Sequence, residues 1–166
     1  MIMKITVVNN GSLHLDSLAT ALGDHDLHII GYEGSNVQVA PGSNLIILSG
    51  SAHQNETTNS DITYREWFEA ERRLIGEASV PILGICLGFE LICEVFGQAH
   101  RLELPVRMEG QKRIVMTTHG VEVFGLDNAV AYEGHKYAIE FISTSSLQVL
   151  AKSVTGIEAV KHREMP

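Results

Sequence analysis

The chain has 166 residues, 45% of them hydrophobic, and a formal net charge of −8 at pH 7. That length and apolar fraction suit one compact domain over residues 1–166 with a sizeable core. The acidic balance, with Lys and Arg never running longer than pairs such as Arg72-Arg73, argues against nucleic acid or an anionic membrane as the main partner.

Taken in chain order, residues 4–8 (Lys4-Ile5-Thr6-Val7-Val8) read as a buried strand that ends in the turn cluster Asn9-Asn10-Gly11. A helix is expected from Ser12, with Leu15, Leu18, Ala19 and Leu22 on one face and Gly23 as its stop. Residues 26–30 and 45–48 give two more strands. Tyr64, Trp67, Phe68, Glu71, Leu74, Ile75 and Ala78 then recur at helical spacing, predicting an amphipathic helix from about Asp61 or Thr63 to Glu77. Residues 80–85 form a fourth strand, with a helix-like stretch after it. Beyond Gly97 the pattern turns to strands at 113–117, 129–133, 147–152 and 157–161, expected to extend the sheet with antiparallel or mixed strands. The alternation in the first part implies an α/β fold: a mostly parallel central sheet with helices on both faces.

No apolar stretch is long enough for a membrane span, and Met1-Ile2-Met3-Lys4 leads directly into a strand pattern. A soluble cytoplasmic protein without a signal or transit segment is expected. The two cysteines, Cys86 and Cys93, fit a reducing compartment. Seven positions of helix separate them by about 10 Å, too far for a bridge.

Gly84-Ile85-Cys86-Leu87-Gly88, placed between the strand Val80-Pro81-Ile82-Leu83 and the helix after it, carries the most chemistry. A G-x-C-x-G turn from strand to helix is a nucleophile elbow with sulfur in place of a serine oxygen. The glycines permit a sharp turn and a close substrate approach. Cys86 at a helix N-terminus is favoured as the thiolate. The plain alternative is a buried core cysteine, and that reading is kept for Cys93.

A thiolate attacking an amide or ester carbon needs oxyanion donors and a proton shuttle. The N–H of Leu87 and that of Gly50, in the strand-ending Leu48-Ser49-Gly50-Ser51, are candidate donors, contributing about 3 kcal/mol or more each at the transition state. Taken alone, Ser49-Gly50-Ser51 is also an ordinary turn. None of the eight histidines carries a neighbour pattern that marks a base. His25 and His28 lack a third ligand at a metal-binding spacing; His135 and His162 end strands. No metal and no cofactor are expected.

These residues together resemble the class I (triad) glutamine amidotransferase domain, in particular the free-standing amidotransferase subunits of GMP synthase. Pro81-Ile82-Leu83-Gly84-Ile85-Cys86-Leu87-Gly88 is similar to the nucleophile motif of the family, and Ile46-Ile47-Leu48-Ser49-Gly50-Ser51 to its oxyanion strand and loop. Glu133-Gly134-His135-Lys136 resembles a segment with a recurrent Ser-His dipeptide; Val149-Leu150-Ala151-Lys152-Ser153 and Ile157-Glu158-Ala159-Val160-Lys161-His162 resemble the two strands near the end of the fold. The resemblance implies a flavodoxin-like fold and a reaction in which Cys86 attacks the side-chain amide of glutamine, a thioester forms, and ammonia passes to an ATP-dependent synthetase partner. For GMP synthesis that partner aminates xanthosine monophosphate. Gly84, Gly88, Glu90, Ser51 and His135 are the substrate-binding positions implied.

Two departures accompany the resemblance. The family carries a catalytic His-Pro-Glu on a strand after the one resembling 157–162, and no His-Pro-Glu occurs in the sequence; the last strand and helix of the fold are expected to be missing from it. Without that base, proton transfer typically slows by about 100-fold to 10,000-fold. Phe89-Glu90 stands where His-Gln or Met-Gln is usual. Glu90 either brings a charge that raises the thiol pKa and opposes the α-carboxylate of the substrate, or faces solvent or a cation. Two other readings follow: a non-catalytic amidotransferase-like binding module, and a different cysteine hydrolase using His135 or His162 as base.

Overall fold

A computed structural model describes residues 1–31, 37–52, 67–99, 101–140, 142–143 and 145–165. The chain forms two compact units, Met1–Ile92 and Cys93–Pro166.

The first unit holds a four-stranded sheet of β1 (Lys4–Asn9), β2 (Asp26–Gly31), β3 (Leu45–Leu48) and β4 (Ile82–Gly84), in the order β2-β1-β3-β4. Every pairing in it is parallel. Between Lys4 and Asn9 at its ends β1, like β3, consists of Ile, Val, Thr or Leu, and these residues are almost wholly buried; β2 at one edge is largely exposed. Ile5, Val7 and Ile47 form a core cluster, each worth about 1.5–3 kcal/mol of burial. Helix α1 (Leu15–Leu22) packs on it through Leu15, Leu18 and Leu22, the stripe that sequence spacing predicts. The helix begins later than Ser12 because Asn9 Oδ1 accepts the N–H groups of Gly11 and Ser12 in a local turn. Gly23 ends it at φ 61°, ψ −131°, a conformation open to glycine alone.

Helix α2 (Glu69–Glu77) is the described part of the predicted amphipathic helix; residues 53–66, with Tyr64, lie outside the described residues. Phe68, Glu71 and Ile75 are buried. Trp67, counted on the same face, is 42% exposed. Phe68, at φ −108° and ψ 16°, interrupts the helical run between Trp67 and Glu69, so the two segments do not share one face. Strand β4 is shorter than predicted, but Ile46 N–H to Pro81 O and Ile85 N–H to Leu48 O (3.0 and 2.9 Å) keep its flanks on β3.

Helix α3 (Leu87–Gly97) follows β4. The second unit contains β5 (Arg101–Met116), helix α4 (Thr118–Phe124), β6 (Asn128–Ile139), β7 (Leu147–Lys152) and β8 (Ile157–His162). Its strands do not extend the parallel sheet; they form a separate antiparallel one, ordered β6-β5-β7-β8. β7 and β8 match the predicted spans closely. β5 and β6 are far longer, since a mostly exposed two-stranded ribbon needs no apolar run to mark it. The register shifts between Glu103 and Met108, around Pro105, which has no N–H for the ladder. Helix α4 went unread because it is short and carries Gly120, Val121 and Val123. Its caps are plain: Thr117 Oγ1 accepts from Gly120 N–H, and Gly125 closes it at φ 69°. Among the described residues no helix is long and apolar enough to cross a membrane.

Candidate active site

Parallel register sets the carboxyl ends of β1, β3 and β4 side by side: Val8 pairs with Leu48, and Leu48 with Gly84. The residues just beyond are Asn10, Ser49-Gly50 and Cys86, at the sheet edge where α/β folds bind ligands. A cleft of about 540 Å³ lined in part by Ser43, Ile46, Arg73 and Val80 lies toward the amino ends of β3 and β4 and holds none of these residues.

Cys86 adopts φ 53°, a left-handed backbone that costs a non-glycine residue about 1–3 kcal/mol. Its carbonyl accepts the N–H of Glu90 at 3.0 Å, and Ile85 O accepts that of Gly88 at 3.1 Å. Cys86 thus caps α3. Leu87, the first helical residue, has an N–H with no acceptor inside the helix. The Cys86 side chain is half-buried while Cys93 is fully buried, so Cys86 alone of the two is open to a small molecule.

The sharp turn therefore sits on the cysteine, and Gly84 and Gly88 serve a different need from the one the motif suggests. A Cβ on Gly84 would overlap the Gly88 carbonyl and lie 2.6 Å from Phe89 N. A Cβ on Gly88 would overlap Leu48 O and lie 2.6 Å from Leu48 Cβ. These faces are filled by protein, so the two glycines let α3 start directly against β3. Gly50 is the glycine that faces the thiol: a Cβ there would sit 3.1 Å from Cys86 Cβ and 3.6 Å from Sγ.

The Gly50 loop is held from behind by a buried network. Ser49 Oγ accepts the Asn10 N–H at 2.9 Å and donates to Gly50 O at 2.9 Å. That bond fixes the peptide plane shared by Gly50 O and the Ser51 N–H. Asn10 Nδ2 donates to Ser49 O at 3.0 Å and to Glu71 Oε2 at 3.1 Å. Glu71 is 1% exposed, and burial pushes its pKa up from 4.5 to about 7 against the opposing pull of the Asn10 hydrogen bond and Arg72. Asn10 Oδ1 and Glu71 Oε1 are buried without a hydrogen-bond partner among the described residues; a protonated Glu71 supplies a donor that such a pair lacks. Sequence reasoning passed over Asn10, Ser49 and Glu71 as site residues. The one available signal was a carboxylate on an otherwise apolar helix face.

Glu90 is 3% exposed, which removes its solvent-facing alternative; it stands one helical turn beyond Cys86. In the second unit, His135 Nδ1 donates to Tyr137 O at 2.7 Å and its Nε2 lies 3.3 Å from Glu133 Oε2. His162 packs edge-on against Phe96 with ring centroids 4.7 Å apart. Its Nδ1 accepts the N–H groups of Glu164 and Met165. His162-Arg163-Glu164 does have His-x-Glu spacing, a match that sequence reasoning overlooked, but the ring is engaged by the backbone N–H of Glu164. The loop histidine His53 and His100 lie outside the described residues.

Comparison with known proteins bears on the family and the fold. The model of the family described as glutamine amidotransferase class-I matches residues 6–166. The A component of the glutamine-hydrolysing GMP synthase of Methanopyrus kandleri is 30% identical over 122 residues, 73% of this chain and 60% of that protein. The chain thus spans less than two thirds of that relative. Among solved structures, a candidate GMP synthase A component from Thermoplasma acidophilum superposes with a TM-score of 0.78 at 23% identity, covering 100% of this chain and 81% of the other. A glutamine amidotransferase from Thermotoga maritima gives a TM-score of 0.73 at 14% identity, covering 98% and 72%. These two likenesses speak for the fold, and the sequence family speaks for itself: the chain belongs to the class I glutamine amidotransferases.

Proposed function

We propose that this chain is the glutamine-hydrolysing component of a GMP synthase-type amidotransferase. Cys86 Sγ attacks the side-chain carboxamide carbon of glutamine, the C–N bond breaks, and nitrogen leaves as ammonia. Water then cleaves the γ-glutamyl thioester to glutamate, and the ammonia passes to an ATP-dependent synthetase that aminates xanthosine monophosphate. Leu87 N–H and an N–H of the Gly50-Ser51 loop receive the developing oxyanion. The observation that carries this reading is the left-handed Cys86 at the start of α3 with Gly50 against its sulfur. The GMP branch rests on the likeness to the Methanopyrus kandleri protein. The family resemblance assigns the proton shuttle to a His-Pro-Glu pair, which these 166 residues do not contain.

The test uses the natural gene product with its synthetase partner. Glutamine-dependent ammonia release is expected, with a loss of at least about a thousandfold in Cys86→Ala. A diazoketone analogue of glutamine should alkylate Cys86 and spare Cys93. Saturable glutamine binding with neither turnover nor labelling supports instead a non-catalytic binding module, a reading favoured by a buried Glu90 one helical turn from Cys86.

A further inference from the structure

The second unit brings together three side chains, of which the family resemblance gives only His135 a part in substrate binding. Glu133 and His135 are two apart on β6 and so project from the same face, and Glu158 lies on β8, the opposite edge strand of the sheet. One ligand atom from each falls within 4.8 Å of the others. Each is prepared differently. His135 Nδ1 is 2.7 Å from Tyr137 O; a carbonyl only accepts, so Nδ1 carries a proton and Nε2 is the ring atom turned toward Glu133. Glu158 Oε1 accepts hydroxyls from Ser153 at 2.6 Å and Thr155 at 3.0 Å, which fixes the carboxylate and leaves its second oxygen for another partner. Glu133 is 6% exposed; its Oε2 faces His135 Nε2 at 3.3 Å, and its Oε1 is buried with no hydrogen-bond partner among the described residues.

His135 Nε2 and Glu133 Oε2 at 3.3 Å are joined either by a proton or by a shared cation. A proton there leaves Glu133 Oε1 unmatched among the described residues, whereas a cation draws in Glu158 as well. We propose that Glu133, His135 and Glu158 form a binding site for a divalent transition-metal ion of the zinc type. One imidazole nitrogen and two carboxylate oxygens suit zinc, cobalt or manganese better than magnesium or calcium, which prefer oxygen throughout. Zinc bonds of about 2.0–2.2 Å put tetrahedral ligands roughly 3.3–3.6 Å apart, a small contraction of the cluster. Tyr137 O behind the imidazole and the Ser153 and Thr155 hydroxyls behind Glu158 are the outer partners such ligands usually have. A fourth position stays open to water or a ligand. The site involves neither Cys86 nor its loop, so a metal titration reads it without any glutamine turnover.

The experiment is titration of the chelator-treated protein with Co²⁺ followed by visible absorption, and with Zn²⁺ by calorimetry. One equivalent is expected to bind, with a d–d band of tetrahedral or five-coordinate intensity and no sulfur-to-cobalt charge-transfer band. Glu133→Gln and His135→Ala should each weaken binding at least about a hundredfold, and Thr155→Val, behind Glu158, about tenfold. The wild-type spectrum stands as evidence even if a ligand variant fails to fold. A wild-type protein that binds neither ion at submillimolar concentration overturns the proposal. So does a charge-transfer band showing that a cysteine holds the ion, or retention of full affinity in a folded His135→Ala.

Discussion

Glu71 Oε2 and Asn10 Nδ2 meet at 3.1 Å in the interior of the first unit. Asn10 holds Ser49, and Ser49 Oγ holds the Gly50 carbonyl. Three hydrogen bonds therefore run from a titratable group on α2 to the loop beside the Cys86 sulfur.

The first prediction concerns stability against pH. The folded-state pKa of Glu71 is about 7, above its ordinary 4.5, so the folded protein prefers the protonated acid. No penalty is present below about pH 4.5; it grows as pH rises through 7, reaching about 3 kcal/mol beyond it. Glu71→Gln keeps an acceptor for Asn10 Nδ2 and adds a permanent donor. Urea denaturation should find it about 2–3 kcal/mol more stable than wild type at pH 8, with the difference fading toward pH 5. Parallel pH profiles for the two proteins would refute the assignment.

Asn10→Ala and Ser49→Ala release the Gly50 peptide without touching glutamine. On the proposed reaction they should lower kcat about 10-fold to 100-fold and leave KM near its original value. Steady-state ammonia release measures both. An effect confined to KM places these residues in substrate binding instead.

The elbow glycines are expected to tolerate nothing larger. Gly84→Ala and Gly88→Ala force a methyl into the Gly88 carbonyl and the Leu48 carbonyl respectively, and each should cost about 3 kcal/mol or more. Gly76, inside α2 with nothing within 4 Å of a Cβ, is the control: Gly76→Ala should stabilise by about 0.5–1 kcal/mol. Thermal unfolding of the three variants separates close packing from helix propensity.

Because Cys86 carries the left-handed backbone itself, replacing it exposes the strain. Cys86→Gly should be about 1 kcal/mol more stable than Cys86→Ala although both lack the thiol. Equal melting temperatures would mean that the turn relaxes once sulfur is gone.

Much of this was legible in the residues alone. The strand spans 26–30, 45–48, 147–152 and 157–161 and the stop of α1 at Gly23 follow from local pattern and turn chemistry. The long ribbon of β5 and β6 was not legible, because exposed strands interrupted by Pro105 and Gly110 leave no hydrophobic alternation to read. Trp67 shows the limit of periodicity in another way: a break at Phe68 turns a residue at the right spacing out of register with Glu71 and Ile75, and it stays 42% exposed.

What the sequence determined by itself is the elbow: a strand, a cysteine between two glycines and a helix are contiguous, so their geometry is encoded within a few residues. Tertiary structure alone decided what surrounds it. Asn10, Ser49 and Glu71 are 39 and 61 positions apart where they touch. Glu158 on β8 comes within reach of Glu133 and His135 on β6 although β5 and β7 lie between those strands in the sheet order. Packing of distant segments chooses such neighbours, and no periodicity along the chain records that choice.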